Sequence, residues 1–387
     1  MRLLQVIHST NPAGGGPIEA ALQIESVLSE MGHRSAIASL DARDVPWIKD
    51  MNGKRFLLGP PFLHYGYSSR FTPWMRGHFE EYDAVIVHGI WQYSSYGTWR
   101  ALNKSNTPYF VCVHGMLDPW FKRKYTLKHI KKCLYWPWAE YKVLRDARAV
   151  FYCCEQERLL AHQSFRIYKC REEVICYYGT ALPPGDKDAK KEIFLKRFPN
   201  LRGKRLILFL SRIHPKKGCD LLIKSFAGIS KEDPSLRLVM AGPDQIGWQR
   251  QLQSLSKKLG NYDKITWAGM LTGDLKWGAF YASEIFILPS HQENFGVAIA
   301  EALACGVPVL ITDKINISRE IKADGAAFIG NDDVKSITEL LERWLALPPN
   351  EYEAMKEKAR QCFLKRYEIH KSVGSVVEVL RTYGADG

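Results

Sequence analysis

The chain has 387 residues, of which 46% are hydrophobic and 25% charged, and its formal net charge at pH 7 is +13. This composition indicates a globular protein long enough for two domains, and the lack of an uncharged apolar run of about 18 residues excludes a membrane-spanning helix. The nine cysteines are odd in number and form no Cys-x-x-Cys pair, which favours reduced thiols in a cytoplasmic protein over disulfides or a zinc site.

The first half of the chain alternates short apolar runs with helical patterns. The opening stretch, MRLLQVIHSTNPAGGG, has too short an apolar core for a signal peptide and predicts a first strand. Runs rich in Val, Ile and Phe without strict alternation are typical of parallel strands buried on both faces. The predicted strands cover residues 3–9, 34–40, 55–58, 84–88, 109–114, 149–153 and 174–178.

A glycine-rich loop, NPAGGG at residues 11–16, separates the first strand from the first helix. Because glycine has no side chain, Gly15 and Gly16 allow backbone to approach a phosphate closely. The loop is not a P-loop, and as a dinucleotide fingerprint it is incomplete, since Glu19 stands where a third small residue belongs. Asp41 after the second strand suits a ribose-binding acid, so a nicotinamide-dependent enzyme stays open beside a plain tight turn.

Two histidines follow apolar strands of the first half, and each precedes a glycine. His88 ends VIVH and His114 ends FVCVH. Backbone next to these glycines can come near a ligand. His114 lies on a polar loop with Asp118, which favours a role at the reacting centre, whereas a structural role is the stronger interpretation for His88. No metal site is predicted from these residues.

A basic, aromatic segment covers residues 120–145 and contains the densest positive charge of the chain. Cations beside amphipathic rings suit an anionic membrane surface, while a solvated helix face over core aromatics is the competing interpretation. No nucleic-acid-binding motif accompanies the segment, so nucleic acid is not a predicted partner. The residues of this membrane or acceptor patch are Lys122, Arg123, Lys124, Lys128, Lys131, Lys132 and Trp136.

Residues 179–191, GTALPPGDKDAKK, predict an interdomain linker, and the Asp186-x-Asp188 pair within it is not read as a metal site. A second alternating set follows, with strands at residues 205–211, 237–241, 265–270, 284–290, 307–312 and 326–329. The sequence therefore predicts an α/β protein with two doubly wound parallel-sheet domains facing one another across a hinge.

Two cations, Arg212 and Lys217, follow the first strand of the second set in LFLSRIHPKKG and precede a helix beginning near Cys219. Cations beside the free N–H groups of a helix N-terminus form a strong anion site. A guanidinium binds phosphate oxygens in pairs, and an ammonium acts as a movable point charge.

The stretch HQENFGVAIAEALACGVPV, residues 291–309, places Glu293 before an apolar run and Glu301 inside it. The pattern predicts a helix with Asn294 as N-cap and Gly306 as left-handed stop. A buried carboxylate costs several kcal/mol unless it is paired. Since ligands of βαβ units sit at the carboxyl ends of the strands, we expect ligand hydroxyls to satisfy both acids.

These motifs resemble the GT-B glycosyltransferases of the retaining family 4. The E-x7-E signature corresponds to Glu293 and Glu301, and the Arg–Lys pair corresponds to Arg212 and Lys217. The early glycine loop also matches. The HGMLDPW stretch from His114 onward resembles members that build bacterial surface polysaccharides. CYYG at residues 176–179 departs from the family, which commonly has Asn before the Gly.

The resemblance implies two facing Rossmann-like domains with a cleft between them. The first would hold the acceptor and comprise residues 1–180 with the final helix at 367–387. The second, residues 181–366, would hold the nucleotide-sugar donor. Arg212 and Lys217 would bind the donor diphosphate and stabilise the leaving group. Glu301 would bind the ribose, and Met270 lies in the base-binding region.

For the sugar, the resemblance implies a catalytic set of His114, Glu293, Arg212 and Lys217. The sugar would be held by His114, Glu293, Asn294, Phe295 and Gly296. The N–H of Val297 would face the phosphates, and Gly15 and Gly16 would close over them. Transfer would retain the anomeric configuration and require neither a metal nor another cofactor.

The expected donor is UDP-glucose, with GDP-mannose as the competing donor for a mannosyltransferase of the same fold. The expected acceptor is a saccharide or lipid-linked saccharide, used by a cytoplasmic enzyme that is peripheral on the inner membrane face. Two other classes stay open. One is a glycoside hydrolase using the two carboxylates, for which Arg212 and Lys217 would have no task; the other is a non-catalytic sugar-nucleotide-binding protein on the membrane surface.

Overall fold

The structure, a computed structural model, describes residues 1–176 and 178–384, except for the side chains of Ala13, Asp50 and Arg123. The chain forms two compact units: Met1–Gly179 together with the segment from Ile369 onward, and Thr180–Glu368. We call them unit 1 and unit 2. Among the described residues, no helix combines the length and apolar character needed to cross a bilayer.

Unit 1 contains a parallel sheet in which the strand order is β3-β2-β1-β4-β5-β6-β7. Its central strands are buried on both faces, as their continuous apolar sequences require. The strands are β1 (Arg2–Ile7), β2 (Arg34–Ser39), β3 (Lys54–Leu57), β4 (Ala84–His88), β5 (Tyr109–Cys112), β6 (Ala149–Tyr152) and β7 (Glu173–Ile175).

Helices connect these strands and cover the sheet. In chain order they are α1 (Gly16–Glu30), α2 (Phe71–His78), α3 (Tyr93–Leu102), α4 (Trp120–Lys124), α5 (Thr126–Tyr135), α6 (Glu140–Asp146) and α7 (Glu155–Ala161). Two separate groups of buried apolar side chains pack against the sheet, one of them containing Val85 and Val87 and the other Ala84 and Ile86. This alternation along β4 shows that the sheet has a core on each face.

Unit 2 contains a second parallel sheet, with the strand order β10-β9-β8-β11-β12-β13. Its strands are β8 (Arg205–Leu210), β9 (Leu236–Ala241), β10 (Ile265–Gly269), β11 (Ile285–Leu288), β12 (Val309–Thr312) and β13 (Ala327–Gly330). Its helices are α8 (Lys187–Arg197), α9 (Cys219–Glu232), α10 (Gln249–Leu259), α11 (Gly273–Ala282), α12 (Val297–Ala304), α13 (Ser318–Ala323), α14 (Val334–Leu345) and α15 (Pro349–Arg366).

The last helix, α16 (Ile369–Gly384), returns to unit 1 and packs beside α1. It begins at Ile369, two residues after the expected start of the returning segment at Tyr367. Its apolar face, which includes Val373, Val376 and Leu380, is buried in unit 1. Residues 385–387 of the predicted segment, like Tyr177 of the CYYG stretch, lie outside the described residues.

The prediction of two doubly wound parallel sheets is confirmed, and each predicted strand has a counterpart among the described residues. The predicted linker at 179–191 was wrong from residue 187 onward, because α8 begins at Lys187. Asp186 caps this helix by accepting a hydrogen bond from the N–H of Ala189 at 2.7 Å. Helix capping therefore explains an acid in the Asp186-x-Asp188 pair.

Both sheets reverse their strand order beside the first strand of the unit, between β1 and β4 in unit 1 and between β8 and β11 in unit 2. Parallel α/β sheets bind ligands at such switch points, outside the carboxyl ends of the strands. The candidate residues of each unit lie on the loops that leave those ends or on the helices that follow the loops.

Candidate active site

The loop after β8 carries the two predicted phosphate-binding cations. Arg212 is exposed, and its guanidinium donates to Oε1 of Gln245 at 3.3 Å. Lys217 ends a short 3-10 turn and is buried, with 7% of its surface exposed. Gly218 follows with φ 67°, and a Cβ there would lie 2.0 Å from the carbonyl oxygen of Pro289. Only glycine fits this position, which holds the lysine loop against the end of β11.

Lys217 forms an ion pair with Glu293, so two residues separated by 76 positions meet in unit 2. The backbone of Glu293 is fixed by hydrogen bonds to residues 314 and 316, at 3.1 and 3.0 Å. Burial, together with the positive charges of Lys216 and Arg212, lowers the pKa of Lys217 to about 7. Clustered positive charge of this kind favours a bound anion, which would stabilise the charged lysine.

Helix α12 begins at Val297, with Gly296 in the left-handed region at φ 74° as its N-cap. The prediction that Asn294 caps this helix was therefore wrong; its Oδ1 accepts a hydrogen bond from Nδ2 of Asn316 at 3.0 Å. The Phe295 ring is buried and contacts the Tyr367 ring, with centroids 5.5 Å apart. This turn can present backbone N–H groups to a ligand, because the first N–H groups of an α-helix have no hydrogen-bond partner within the helix.

Glu301 is buried in α12, with 4% of its surface exposed. Its Oε1 accepts a hydrogen bond from Nζ of Lys276, on α11, at 2.6 Å. The expectation that a ligand alone satisfies this acid was wrong, because the protein provides Lys276. No local pattern in the sequence pointed to this lysine, which lies 25 residues before Glu301. Met270, predicted for the base-binding region, follows β10 and is 66% exposed.

In unit 1, His88 and His114 belong to one hydrogen-bonded chain. His88 Nε2 lies 2.9 Å from Oε1 of Gln5, and His88 Nδ1 lies 3.1 Å from Nε2 of His114. The other nitrogen of His114, Nδ1, contacts the hydroxyl of Tyr178. Sequence reasoning treated the two histidines separately and missed Gln5, although a polar residue inside the apolar run LLQVI was a signal for it.

The direction of this chain follows from Gln5. Its Nε2 donates to the Ala21 carbonyl and to the Ser35 hydroxyl, both at 3.1 Å, so its Oε1 must accept from His88. A neutral His88 then has a bare Nδ1, which accepts from Nε2 of His114. Nδ1 of His114 in turn accepts from Tyr178. Both ring nitrogens of His114 are therefore engaged within the protein.

Burial makes both histidines weak bases. It lowers the pKa of His88 to about 4, and burial and the neighbouring His88 lower the pKa of His114 well below its ordinary value. Both rings are neutral near pH 7, so the arrangement does not provide a general acid or base at His114. Instead it fixes the ring and the loop that carries it.

That loop is held by a carboxylate the sequence analysis did not identify. His114 has φ 51° and Gly115 has φ 74°, so two left-handed residues turn the chain sharply after β5. The N–H of Gly115 donates to Glu157 on α7 at 2.5 Å, and the N–H of Cys153 donates to the same carboxylate at 2.6 Å. Glu157 thus ties the His114 loop to the end of β6.

His88, His114 and Cys112 also place three potential metal-ligating atoms within 4.8 Å of one another. Two imidazoles and a thiolate are ligands that zinc and copper favour. The hydrogen-bonded chain already accounts for both rings. The expectation of a metal-free reaction stays a prediction.

The glycine loop at residues 11–16 is exposed, and a Cβ added to Gly15 or Gly16 would meet no atom within 4 Å. Its contact with donor phosphates stays a prediction. Asp41, considered above as a ribose-binding acid, accepts hydrogen bonds from the Ser9 hydroxyl and the Thr10 N–H, both at 2.6 Å. This carboxylate fixes the end of the β1 loop, which removes the main support for a nicotinamide site.

The basic segment is divided between solvent and core. Lys122, Lys124, Lys128 and Lys131 are exposed, and the side chain of Arg123 lies outside the described residues. Trp136 was wrongly placed in the membrane patch, since it is 3% exposed and stacks on Phe165 at 4.1 Å between ring centroids. The exposed apolar side chains of α5 are Leu127, Ile130 and Leu134, of which Leu127 is 79% and Leu134 72% exposed.

Two domain families match the chain. Residues 15–177 match the family described as "Glycosyl transferase 4-like domain", and residues 190–362 match "Glycosyl transferases group 1". The first match lies in unit 1 and the second in unit 2. Together they extend over most of both units.

Curated relatives align over shorter stretches. A D-inositol 3-phosphate glycosyltransferase from Geodermatophilus obscurus is 33% identical over 134 residues, covering 33% of this chain and 29% of the relative. A mannosylfructose-phosphate synthase from Agrobacterium fabrum is 33% identical over 131 residues, covering 32% of this chain and 28% of the relative. The chain thus matches less than a third of the length of these two relatives.

Among solved structures, Anabaena HepE in complex with UDP-glucose superposes with a TM-score of 0.77. The sequences are 15% identical, and the match covers 99% of this chain and 100% of HepE. At this identity the likeness shows the fold alone. With a family model matched in each unit and this fold shared along its length, the chain belongs to the family 4 type of glycosyltransferases with the GT-B fold.

Proposed function

We propose that this protein is a retaining, metal-independent hexosyltransferase that moves glucose from UDP-glucose to a saccharide acceptor. The observation that carries the proposal is the Lys217–Glu293 ion pair beside Arg212 and the free N-terminus of α12. Positive charge and free N–H groups suit a diphosphate, and the nearby carboxylates suit sugar hydroxyls. The fold shared with HepE, which was solved with UDP-glucose, supports this choice of donor.

In this proposal Arg212, Lys217 and the N–H of Val297 bind the donor diphosphate. Lys217 exchanges its contact with Glu293 for phosphate oxygens, which restores the pKa that burial lowers. The same cations stabilise the charge that develops on the leaving diphosphate, where an electrostatic contact lowers the barrier most. The released Glu293 accepts hydrogen bonds from the sugar hydroxyls, Asn294 contacts the same hydroxyls, and the N–H of Gly296 donates to a sugar oxygen.

Glu301 is proposed to bind the ribose hydroxyls while keeping its contact with Lys276. A carboxylate has two oxygens and about four acceptor positions, so one oxygen suffices for the lysine. The proposed contacts of His114, Gly15 and Gly16 with the donor concern unit 1. They stay predictions, as does the contact of Met270 with the base.

A mannosyltransferase using GDP-mannose is the second candidate, favoured by the similarity to a mannosylfructose-phosphate synthase. Nucleotide release from UDP-glucose, UDP-galactose and GDP-mannose separates the two. We expect UDP-glucose to be used fastest, and UDP to raise the melting temperature more than GDP. Arg212→Ala should reduce the UDP shift, whereas Arg237→Ala, a change of the same kind on β9, should leave it unchanged. Equal shifts by UDP in the wild type and Arg212→Ala would contradict the phosphate assignment.

For the acceptor we propose a lipid-linked saccharide of a surface polysaccharide, reached from an anionic membrane. The support is α5, whose exposed leucines alternate with Lys128 and Lys131. Co-sedimentation with phosphatidylglycerol vesicles tests this placement. Leu127→Ser with Leu134→Ser should abolish binding, and Leu159→Ser, an exposed leucine on α7, should not. Binding that survives the double change would show that α5 is not the contact.

A further inference from the structure

Unit 1 contains a pocket that the site described above does not use. Its walls come from the loop after β4, the loop after β5 and helices α4 and α5. The residues that matter for its chemistry are Trp91, Asp118, Phe121, Lys122, Lys128 and Lys132. The two loops leave the carboxyl ends of neighbouring parallel strands, which is where ligands of such sheets bind.

The two loops are joined to each other. The indole N–H of Trp91 donates to the carbonyl of Met116 at 3.2 Å, and the N–H of Ile90 contacts the sulfur of Met116 at 3.3 Å. Met116 is two residues after His114 on the same loop. The pocket therefore has a fixed wall that continues into the loop of the candidate catalytic histidine.

Lys132 is the unusual member of this pocket. Its ammonium lies 4.3 Å from the centroid of the Trp91 ring and 5.8 Å from that of Phe121. Within the described part of the chain, no side chain or carbonyl accepts a hydrogen bond from the Lys132 ammonium or forms an ion pair with it. Burial lowers the pKa of Lys132 to about 8, although the charge of Glu140 partly opposes this.

A half-buried ammonium without an acceptor is unfavourable, because the water it has lost is not replaced. Contact with an aromatic face offsets part of this loss. The rest would be recovered by an anion entering the pocket, as the lysine then gains a partner in a place of low solvent access. Lys132 is therefore placed to bind an anionic ligand.

The charges around Lys132 also favour an anionic ligand. Lys122 and Lys128 line the pocket with it, and so does His129. Asp118 is the acidic residue among the described lining, and one of its oxygens already accepts the N–H of Trp120 at 2.7 Å. The pocket is therefore positive, with aromatic walls and few polar groups, as expected of a site for a small anionic ligand.

We propose that this pocket binds a phosphate or carboxylate group carried by the acceptor saccharide, with Lys132 as the direct ligand of that anion. The identification of the ligand as the acceptor rests on the proposed transferase function. Lys128 and Lys122 flank the anion, and the rings of Trp91 and Phe121 face the apolar side of the sugar.

Two neighbouring lysines of α5 provide a matched test. Lys132 lines the pocket, whereas Lys131 is exposed and does not. Binding of glucose 6-phosphate, glucuronate and glucose is measured by ligand-observed NMR titration for the wild type, Lys132→Met and Lys131→Met. We expect saturable binding of one or both anions, at least tenfold weaker in Lys132→Met and changed less than twofold in Lys131→Met. Glucose should bind more weakly than either anion.

Equal losses in the two variants, or glucose bound as well as the anions, would overturn the proposal. Lys128→Met serves as a second variant if Lys132→Met does not fold, and it should weaken anion binding about threefold.

Vesicles containing polyprenyl phosphate distinguish a lipid-borne phosphate from a soluble one. Competition of these vesicles with glucose 6-phosphate in the wild type, but not in Lys132→Met, identifies the lipid source. UDP binding, measured on the same samples, should be unchanged in all three variants. Its absence in the wild type would contradict the transferase function and leave the anion result standing.

Discussion

The candidate sites of the two units satisfy their buried polar groups in opposite ways. In unit 2 the candidate residues form charged pairs, Lys217 with Glu293 and Lys276 with Glu301. In unit 1 the equivalent position at the sheet holds a chain of neutral groups, from Gln5 through His88 to His114. Both arrangements satisfy groups that burial would otherwise leave without partners.

Each arrangement suits a different task. A charged pair can exchange one partner for a charged ligand, because the ligand replaces the interaction that is lost. A chain of neutral groups cannot replace one of its members by a charged ligand in this way. Its members instead hold one another in a single orientation. We therefore expect the charged pairs of unit 2 to recognise the charge of the donor, and the neutral chain of unit 1 to maintain the geometry of the His114 loop. The following predictions test that contrast, beginning with the largest effect.

Replacing Lys217 should have the largest effect. Lys217→Ala removes the cation proposed to stabilise the leaving diphosphate, and loss of one such contact reduces turnover on the order of 100- to 1,000-fold. It also leaves Glu293 unpaired, which we expect to lower the free energy of unfolding by about 3 kcal/mol. Turnover is measured as UDP release, and stability by denaturant unfolding.

The neighbouring Lys216→Ala is the control, because Lys216 is not the partner of Glu293; its turnover should fall less than threefold. Adding Glu293→Gln to Lys217→Ala should recover stability and leave turnover low. Recovery of both together would show that the pair is structural only.

Breaking the neutral chain should cause a smaller loss of activity, which appears in kcat and not in KM. His88→Phe removes the acceptor for Nε2 of His114, so we expect kcat to fall about 30-fold, within the range for a misplaced catalytic group, with KM nearly unchanged. His88→Asn retains an acceptor close to the position of Nδ1 and should recover most of the activity. Since His88 and His114 are neutral, neither should contribute a titration to kcat between pH 6 and pH 9, measured at saturating donor so that the bound diphosphate keeps Lys217 charged.

Two results would contradict this interpretation. One is a fall in kcat with a midpoint near pH 6.5 that His88→Asn removes, which would mean that an imidazolium takes part. The other is equal activity of His88→Phe and His88→Asn, which would mean that the hydrogen bond to His114 has no role. Nitrogen NMR of the histidine rings reports the tautomers directly.

Glu301→Gln should affect donor affinity rather than turnover. The amide keeps an oxygen that can accept from the ribose but loses the charge, so we expect KM for the donor to rise about tenfold, or ~1.4 kcal/mol, at constant kcat. Lys276 loses its ion pair, and Lys276→Met in the same chain should restore stability without restoring KM. If Lys276→Met alone raises KM as much as Glu301→Gln, the lysine itself contacts the donor.

The sequence predicted what local patterns determine. Apolar runs located the strands, and Gly306 ends its helix with φ 69°, as its position predicted. Partners distant in sequence were missed, because nothing local specifies that Lys276 meets Glu301 or that Gln5 meets His88. Asn294 was a reasonable cap by residue type. The N-cap is instead Gly296. Its backbone is left-handed, and a Cβ at this position would lie 2.8 Å from the Ile299 side chain, so glycine is required there.

The basic segment shows the same limit. Composition alone made Trp136 and Lys132 equivalent members of a surface patch. Packing against Phe165 places Trp136 in the core, and Trp91, from a loop about 40 residues earlier, lies against Lys132. Which lysine of a pair faces inward depends on helix phase, so Lys131 and Lys132 were indistinguishable until the fold was known.

The smallest effect expected concerns the pH dependence of anion binding by Lys132. A lysine with a lowered pKa is charged below that pKa, so affinity for glucose 6-phosphate should be constant near pH 7 and fall as the pH rises through about 8. The phosphate ester is fully ionised above pH 7, with a second pKa of about 6, so its own titration does not produce this loss. Because only one proton is lost from Lys132, the decrease should be at most tenfold per pH unit.

The other charged or titratable groups near Lys132 are Asp118, Lys122, Lys128, His129 and Glu140. Lys132→Arg separates their contribution from that of Lys132, since a guanidinium stays charged throughout this range. Its affinity should be flat from pH 7 to pH 9, and a decrease equal to that of the wild type would assign the titration to one of the neighbours.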